Sequence, residues 1–419
     1  MNGREHADYI IREAIQQVMP DDAVKKALYG RDFSGGKVYL VAVGKAAWQM
    51  ARVAAGQLGN VIEKGIVVTK YGHVKGEIPR VACYEAGHPV PDENSFRATR
   101  KILDVTADLK EEDTVLFLLS GGASALFEKP AVSGEELSGI TEQLLKKGAN
   151  IMEMNMIRKR LSFVKGGKFA LHCSPAKIFC IVLSDVLGDS LDVIASGPAC
   201  ADLSTCEEAL AVIKKYQMNV SAEAMRCLQT ETPKEIHNVE SVISGSVRML
   251  CKAARAACVS LGYETILLTD QLCGEAKEVG SFMASIAKTH RKSQKNLAFI
   301  AGGETVVHVN GSGMGGRNQE IALAGAIGLD GIHNAALFSV GSDGTDGPTD
   351  AAGGYVDGNT ASVLRQCGID IREQLENNNA YEALSRCGGL IKTGATGTNV
   401  NDVTVLLIQN QLSLGKEEQ

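Results

Sequence analysis

The sequence predicts an α/β protein built on two sheets. Short β-branched runs alternate with amphipathic stretches, as in parallel-sheet proteins, and most of the runs end in a turn bearing Gly or Asp. About ten such runs are more than one helix-flanked sheet usually holds. A length of 419 residues with 45% apolar content supplies substantial cores for two or three domains.

In chain order, the first strands are "KVYLVAV" (37–43), "KGIVVT" (64–69), "RVACYEA" (80–86), "DTVLFLL" (113–119) and "KIFCIVLSD" (177–185). The later ones are "VESVIS" (239–244), "YETILLTD" (263–270), "LAFIAGG" (297–303), "AALFSVGSD" (335–343) and "DVTVLLI" (402–408). Helices are expected over 46–58, 95–109, 135–149, 246–262 and 276–290, where apolar residues recur at helical spacing. The polar stretch "QTETPKEIHNVE" (229–240), with Pro233, is the least structured segment and marks the domain boundary, giving domains 1–236 and 237–419. The first helix can pack on the second domain, because chain order does not fix which sheet it covers.

Composition narrows the function. A formal charge of −6 with mixed signs gives no basic stripe for nucleic acid. The longest apolar runs are broken by Gly and Ser short of the roughly 20 residues of a membrane span, and "MNGREHADYIIREA" has no signal-peptide core. The eleven cysteines form no C-x-x-C pair and sit mostly inside apolar segments, as buried reduced thiols of a cytoplasmic protein do. The eight histidines lack the H-E-x-x-H spacing of zinc hydrolases.

The chemistry-bearing stretches follow strands, where ligands of open α/β sheets collect. "VAVGKAA" sets Gly44 and Lys45 at a helix start, a good place for phosphate or carboxylate unless Lys45 simply reaches solvent. "LSGGASAL" offers Ser120, Gly121, Gly122 and Ser124 as an anion loop whose small residues admit close approach, or as a tight turn. "LSDVLGDSLD" brings Asp185 and Asp189. A carboxylate at this strand end can ligate Mg²⁺, take a proton from an alcohol, or cap the next helix.

"GGETVVHVNGSGMGGRNQE" places Glu304 after a strand, with Gly315, Gly316, Arg317 and Asn318 at a helix start. Its "GSGMGG" matches the dinucleotide fingerprint G-x-G-x-x-G, yet the acid required for ribose is not at its distance, and Arg317 suits a phosphate or carboxylate better. In "GSDGTDGPTDAAGG" (341–354), Asp343, Asp346 and Asp350 crowd a glycine-rich turn, an arrangement that calls for a cation or hydrogen-bonding partner. "GATGTNVND" supplies Thr396 and Asn399 for sugar-acid or ribose hydrogen bonds, or for an ordered turn. There is no P-loop motif and no kinase-type H-R-D or D-F-G set.

Taken together, "AVGKAA", "LSGGASAL", "VLSDVLGD" with "IASGPA", "GGETVV" with "GGRNQE", "GSDGTDGPTDAAG" and "GTNVNDV" resemble the two-domain glycerate 2-kinase family, whose members have also been labelled hydroxypyruvate reductases. The resemblance spans nearly the whole chain in the family's order. It implies a Rossmann-like, mostly parallel first domain with helices on both faces, a smaller α/β domain with a mixed sheet, and a site in the cleft between. It implies ATP and a divalent cation such as Mg²⁺, D-glycerate phosphorylated at its 2-hydroxyl, and functional roles for Lys45 and Arg317.

On that footing Lys45 and Arg317 are expected to meet on one anionic guest, with Asp185 as a third catalytic residue. Backbone N–H groups of the 120–122 loop, Gly44, Ser124, Glu304, Gly315, Gly316, Asn318, Thr396 and Asn399 would bind substrate or phosphate. Metal would go to Asp189, Asp343 and Asp346. The rival is an NAD(P)H-dependent hydroxypyruvate reductase using "GSGMGG". No nucleic-acid or membrane partner is expected, and a homo-oligomer is left open.

Overall fold

The computed structural model describes residues 2–410. Its contacts divide the chain into two compact units, Pro20–Ser244 and Met1–Met19 with Gly245–Gln419. The chain therefore changes unit at 244–245 rather than at the expected 236–237. The sixth strand, which that earlier boundary would have removed, closes the first sheet.

That sheet contains β1 (Val38–Val43), β2 (Ile62–Lys70), β3 (Val81–Ala86), β4 (Thr114–Leu119), β5 (Lys177–Leu183) and β6 (Val239–Gly245). It is parallel with order β3-β2-β1-β4-β5-β6, the order of doubly wound dinucleotide-type folds. Side chains alternate between two cores, which is why the strands read as unbroken apolar runs. Val41, Val43, Val115, Phe117 and Leu119 face Phe127, Phe169 and the helix Glu93–Val105. Leu40, Ala42, Leu116 and Leu118 face the helices Pro20–Leu28 and Ala47–Leu58. A separate helical core joins Gly134–Lys146, Ile151–Arg160, Cys206–Lys215 and Ala222–Leu228 through Ile140, Leu144, Ile157 and Val212.

The second unit holds β7 (Glu264–Leu272), β8 (Leu297–Gly303), β9 (Ala335–Gly341), β10 (Gly353–Asp357), β11 (Leu390–Ile391) and β12 (Asp402–Ile408). Their order is β11-β10-β9-β12-β8-β7, with β7 parallel to β8 and the other pairs antiparallel. Helices Ala276–His290 and Arg317–Leu329 cover one face. The first helix, Gly3–Gln16, packs on helix Val247–Ser260 of this unit, and His6 Nδ1 meets the Tyr263 hydroxyl at 2.7 Å.

All ten expected strands are present. Two more, β10 and β11, went unforeseen because one is glycine-opened and the other has two residues. A Cβ on Gly353 would collide with the Ser339 carbonyl across the β9–β10 pair, so the glycine that hid this strand is what lets it form. Beyond β8, residues 305–309 make a single isolated bridge, Val306 with Glu275. All eleven cysteines are free. No helix among the described residues is long and apolar enough to cross a membrane.

Candidate active site

In the parallel sheet the strand order reverses between β1 and β4, and the carboxyl ends of strands at such a switch point are where open α/β sheets bind ligands. Gly44–Lys45 leaves β1 there, and Ser120–Gly122 leaves β4. The two turns are laced together. The Lys45 N–H donates to the Gly121 carbonyl at 2.8 Å, and the Ala46 N–H donates to Ser120 Oγ at 3.1 Å. Gly44 has φ +126° and lies so close to Ser120 that any Cβ would collide with it. The Lys45 carbonyl accepts from Thr69 Oγ1 at 3.4 Å and from His73 Nδ1 at 3.1 Å, which fixes the proton of that imidazole on Nδ1. The backbone of Lys45 is thus pinned by β2 and by the β4 turn.

Gly121 admits a carboxylate: a Cβ there would strike Asp185, which follows β5. Gly122 is left-handed at φ +83°. A Cβ on it would lie 2.8 Å from His88 Cδ2 and 3.3 Å from Lys45 Cγ. Lys45, Lys70 and His73 act together on His88 at this corner. Burial, then the charge of Lys45, pushes the His88 imidazole down to about 4.

Ser124 ends this group. Its hydroxyl lies 3.2 Å from Ser196 Oγ, which in turn donates to Asn155 Oδ1 at 3.0 Å. Its carbonyl accepts from Lys165 Nζ at 2.8 Å and Arg158 Nη2 at 3.2 Å. Lys165 is fully buried with Glu128 at 3.5 Å, and burial lowers its ammonium to about 8. Ala195, Ser196 and Gly197 are consecutive left-handed residues, a costly backbone held by Gly166 and Gly167 N–H groups donating to the carbonyls of Ser196 and Gly197. Asp189 is also left-handed, and its Oδ1 is buried without a hydrogen-bond partner.

In the mixed sheet, Arg317 opens a helix that follows the 311–316 loop. Its guanidinium grips Asp402 in a fork, Nε to Oδ2 at 2.6 Å and Nη2 to Oδ1 at 3.1 Å, and reaches Glu304 with Nη1 at 2.8 Å. Burial works against the charge of Arg317. The hydrogen bonds and charge of Asp402, with Glu304 and Asp346, outweigh it and raise its pKa. Asp402 begins β12 in register with Gly303 of β8 and Gly341 of β9, and a Cβ on Gly341 would lie 3.4 Å from Asp402 Oδ1.

Burial raises the Asp402 carboxyl to about 6 over the pull of Arg317. The folded protein therefore keeps this proton to a higher pH than the unfolded chain, where Asp titrates near 3.9. The stability it contributes is fully present below about pH 4 and is lost as pH rises through about 6, roughly 3 kcal/mol across the window. Urea unfolding at about pH 4.5 and 6.5 checks this: wild type should lose about 2 kcal/mol more than Asp402→Asn on going to the higher pH.

Several expected ligand groups are spent on the fold. Asp346 is buried and accepts from Asn318 N and Nδ2 (3.2 and 3.3 Å) and from Gln319 N and Nε2 (2.9 and 3.0 Å). It caps helix Arg317–Leu329 from a distant loop, a structural role instead of the metal ligation expected. A Cβ on Gly316 would strike it. Asn318 Oδ1 accepts from Ser339 Oγ at 2.5 Å, which ties this buried amide into the core. Asp343 closes a turn on Thr345, and Asp350 binds Lys392 at 2.8 Å and the Tyr381 hydroxyl at 2.7 Å. The acidic turn is therefore held by three separate sets of donors. No group of three or more His, Cys, Asp or Glu with metal-holding geometry occurs among the described residues.

The glycine motif is likewise occupied. Gly311 N donates to Asn378 Oδ1 at 3.0 Å, Ser312 N to Asn377 Oδ1 at 3.0 Å, Gly313 N to the Asn377 carbonyl at 2.9 Å and Met314 N to Asn379 Oδ1 at 3.2 Å. Gly311 and Gly313 are small because Asn377–Asn379 lies against them. Gly315 packs on Ala380, where a Cβ would meet the backbone N at 3.2 Å. Thr396 donates to the Ser342 carbonyl at 2.6 Å and Asn399 Oδ1 accepts from Asn401 N at 3.4 Å, the ordered-turn alternative.

Sequence reasoning missed His73, His88 and Lys70, and it missed the pairing of Asp402, at the end of "GTNVND", with Arg317. "EAGHPVP" after β3 carried a signal for His88, an imidazole at a strand end. A hollow of about 420 Å³ lies at the other end of the parallel sheet, at the amino ends of β4, β5 and β6. Arg31 pairs with Glu240 there and stacks on Phe179.

A domain of unknown function, DUF4147, matches residues 6–229, and the MOFRL family matches residues 297–402. The D-glycerate 2-kinase of Thermotoga maritima is 53% identical over 95% of this chain and 97% of its own. The glycerate 2-kinase of Pyrococcus horikoshii is 40% identical over 98% of each chain. A crystal structure of glycerate kinase from Thermotoga maritima superposes with a TM-score of 0.93, at 51% identity, over 96% of this chain and 99% of that one.

Proposed function

We propose, from the premise that this chain belongs to the glycerate 2-kinase family, that it transfers the γ-phosphoryl group of ATP to the 2-hydroxyl of D-glycerate, giving 2-phosphoglycerate and ADP. The observation that carries the reading within the molecule is the corner at the switch point, where Lys45 is fixed beside the Ser120–Gly122 turn and Asp185 lies against Gly121. Phosphoryl transfer asks a protein mainly to neutralise charge on the moving group and to position the alcohol. Lys45 supplies the charge. Asp185 orients the 2-hydroxyl and takes its proton as the new P–O bond forms. Arg317, the other residue to which the family resemblance gives a functional role, is held by Asp402 and Glu304 within its own unit.

Magnesium, when bound, would offset negative charge on the phosphates. Of the three expected ligands Asp189 fits, since one of its oxygens is buried without a partner, whereas the carboxylate of Asp346 is filled by N–H donors. The reductase reading loses support because its glycine loop is filled by Asn377–Asn379. Buried cysteines such as Cys173 and Cys180, raised to about 12 by burial, suit a reducing cytoplasm, where we place the protein.

Incubation with D-glycerate, ATP and Mg²⁺, coupled separately to enzymes accepting only 2- or only 3-phosphoglycerate, tests the function. Signal is expected in the first assay alone. Signal only in the second, or ATP-independent oxidation of NAD(P)H by hydroxypyruvate, overturns it.

A further inference from the structure

We infer that His88 is a positioning residue for Lys45: its imidazole shares the Cα face of Gly122 with the Lys45 stem and so directs the ammonium. Three observations carry this. A side chain on Gly122 would meet His88 Cδ2 at 2.8 Å and Nε2 at 2.9 Å, so the ring rests directly on that glycine. The same point lies 3.3 Å from Lys45 Cγ, so ring and stem occupy one side of the turn. The backbone of Lys45 is already held by Gly121, Thr69 and His73, which leaves the stem as the part still to be placed.

The charge of the ring matters as much as its shape. The groups acting on it are Lys45 after β1, Lys70 at the end of β2 and His73 beyond it. All are cationic or able to become so, and the half-buried ring is poorly solvated. An imidazolium would repel the ammonium it positions. A neutral ring packs against the methylenes and leaves Lys45 as the charge that faces an anion.

The kinetic arm of the test rests on the kinase reading; the spectroscopic arm does not. Imidazole NMR of the whole protein, with the His88 signal assigned through His88→Gln, should show no titration from about pH 5 to 8. A midpoint near 6.5 would overturn the inference whether or not the protein phosphorylates glycerate. In turnover assays His88→Lys should lower kcat by about ten- to a hundredfold, the scale of a misplaced catalytic group, and His88→Phe should recover most of that loss. In a Lys45→Ala background neither change should matter further. Equal losses in both backgrounds, or full activity of a folded His88→Lys, refute the proposal. Wild type inactive on glycerate but with a non-titrating His88 would instead sink the functional reading alone.

Discussion

Lys45→Ala is expected to lower kcat by about a hundred- to a thousandfold, the usual cost of removing one preorganised charge from a phosphoryl-transfer transition state. Stability should barely change. The backbone of Lys45 makes the structural bonds, to Gly121, Thr69 and His73, and all of them survive truncation of the side chain. Thermal unfolding measured beside turnover separates the two effects. A folded variant with wild-type kcat would remove Lys45 from the mechanism.

Arg317→Ala should cost a similar factor in rate and, unlike Lys45→Ala, should also destabilise the protein. A turn-mouth position by itself would leave folding intact. In this fold, however, Asp402 is 8% exposed at its side chain and loses the counter-charge of Arg317 when the fork is removed. Breaking such a buried pair costs about 3 kcal/mol. The loss is tempered because Asp402 already sits near 6 and can take up a proton. Arg317→Lys keeps the charge without the fork. If the fork directs the guanidinium, turnover of Arg317→Lys stays well below wild type; if charge alone matters, it recovers. Kinetics and urea melts of the three proteins at one pH decide between these outcomes.

The Asp402 example shows where strand-end reasoning stops short. Ligand groups were sought after the carboxyl ends of strands, and Gly44–Lys45, Ser120–Gly122, Asp185 and Glu304 are found there. Asp402 stands at the amino end of its strand. Because β12 runs antiparallel to β8 and β9, that amino end lies beside their carboxyl ends. Strand direction within a sheet is a pairing property and cannot be read from one segment. His88 escaped for a related reason, since its partners Lys45 and Gly122 belong to other strands.

The amino-acid sequence by itself determined the elements and the places where they end. Buried parallel strands must be apolar on both faces, so β1, β4 and β5 announce themselves, and the small residues beyond them mark turns with special backbone geometry. Only the tertiary structure decided what each polar group in those turns does. Asp346 became a helix cap, the "GSGMGG" glycines became a seat for three asparagines, and Arg317 acquired Asp402. A buried donor or acceptor must find a partner, and which partner is near depends on distant segments that folding brings together.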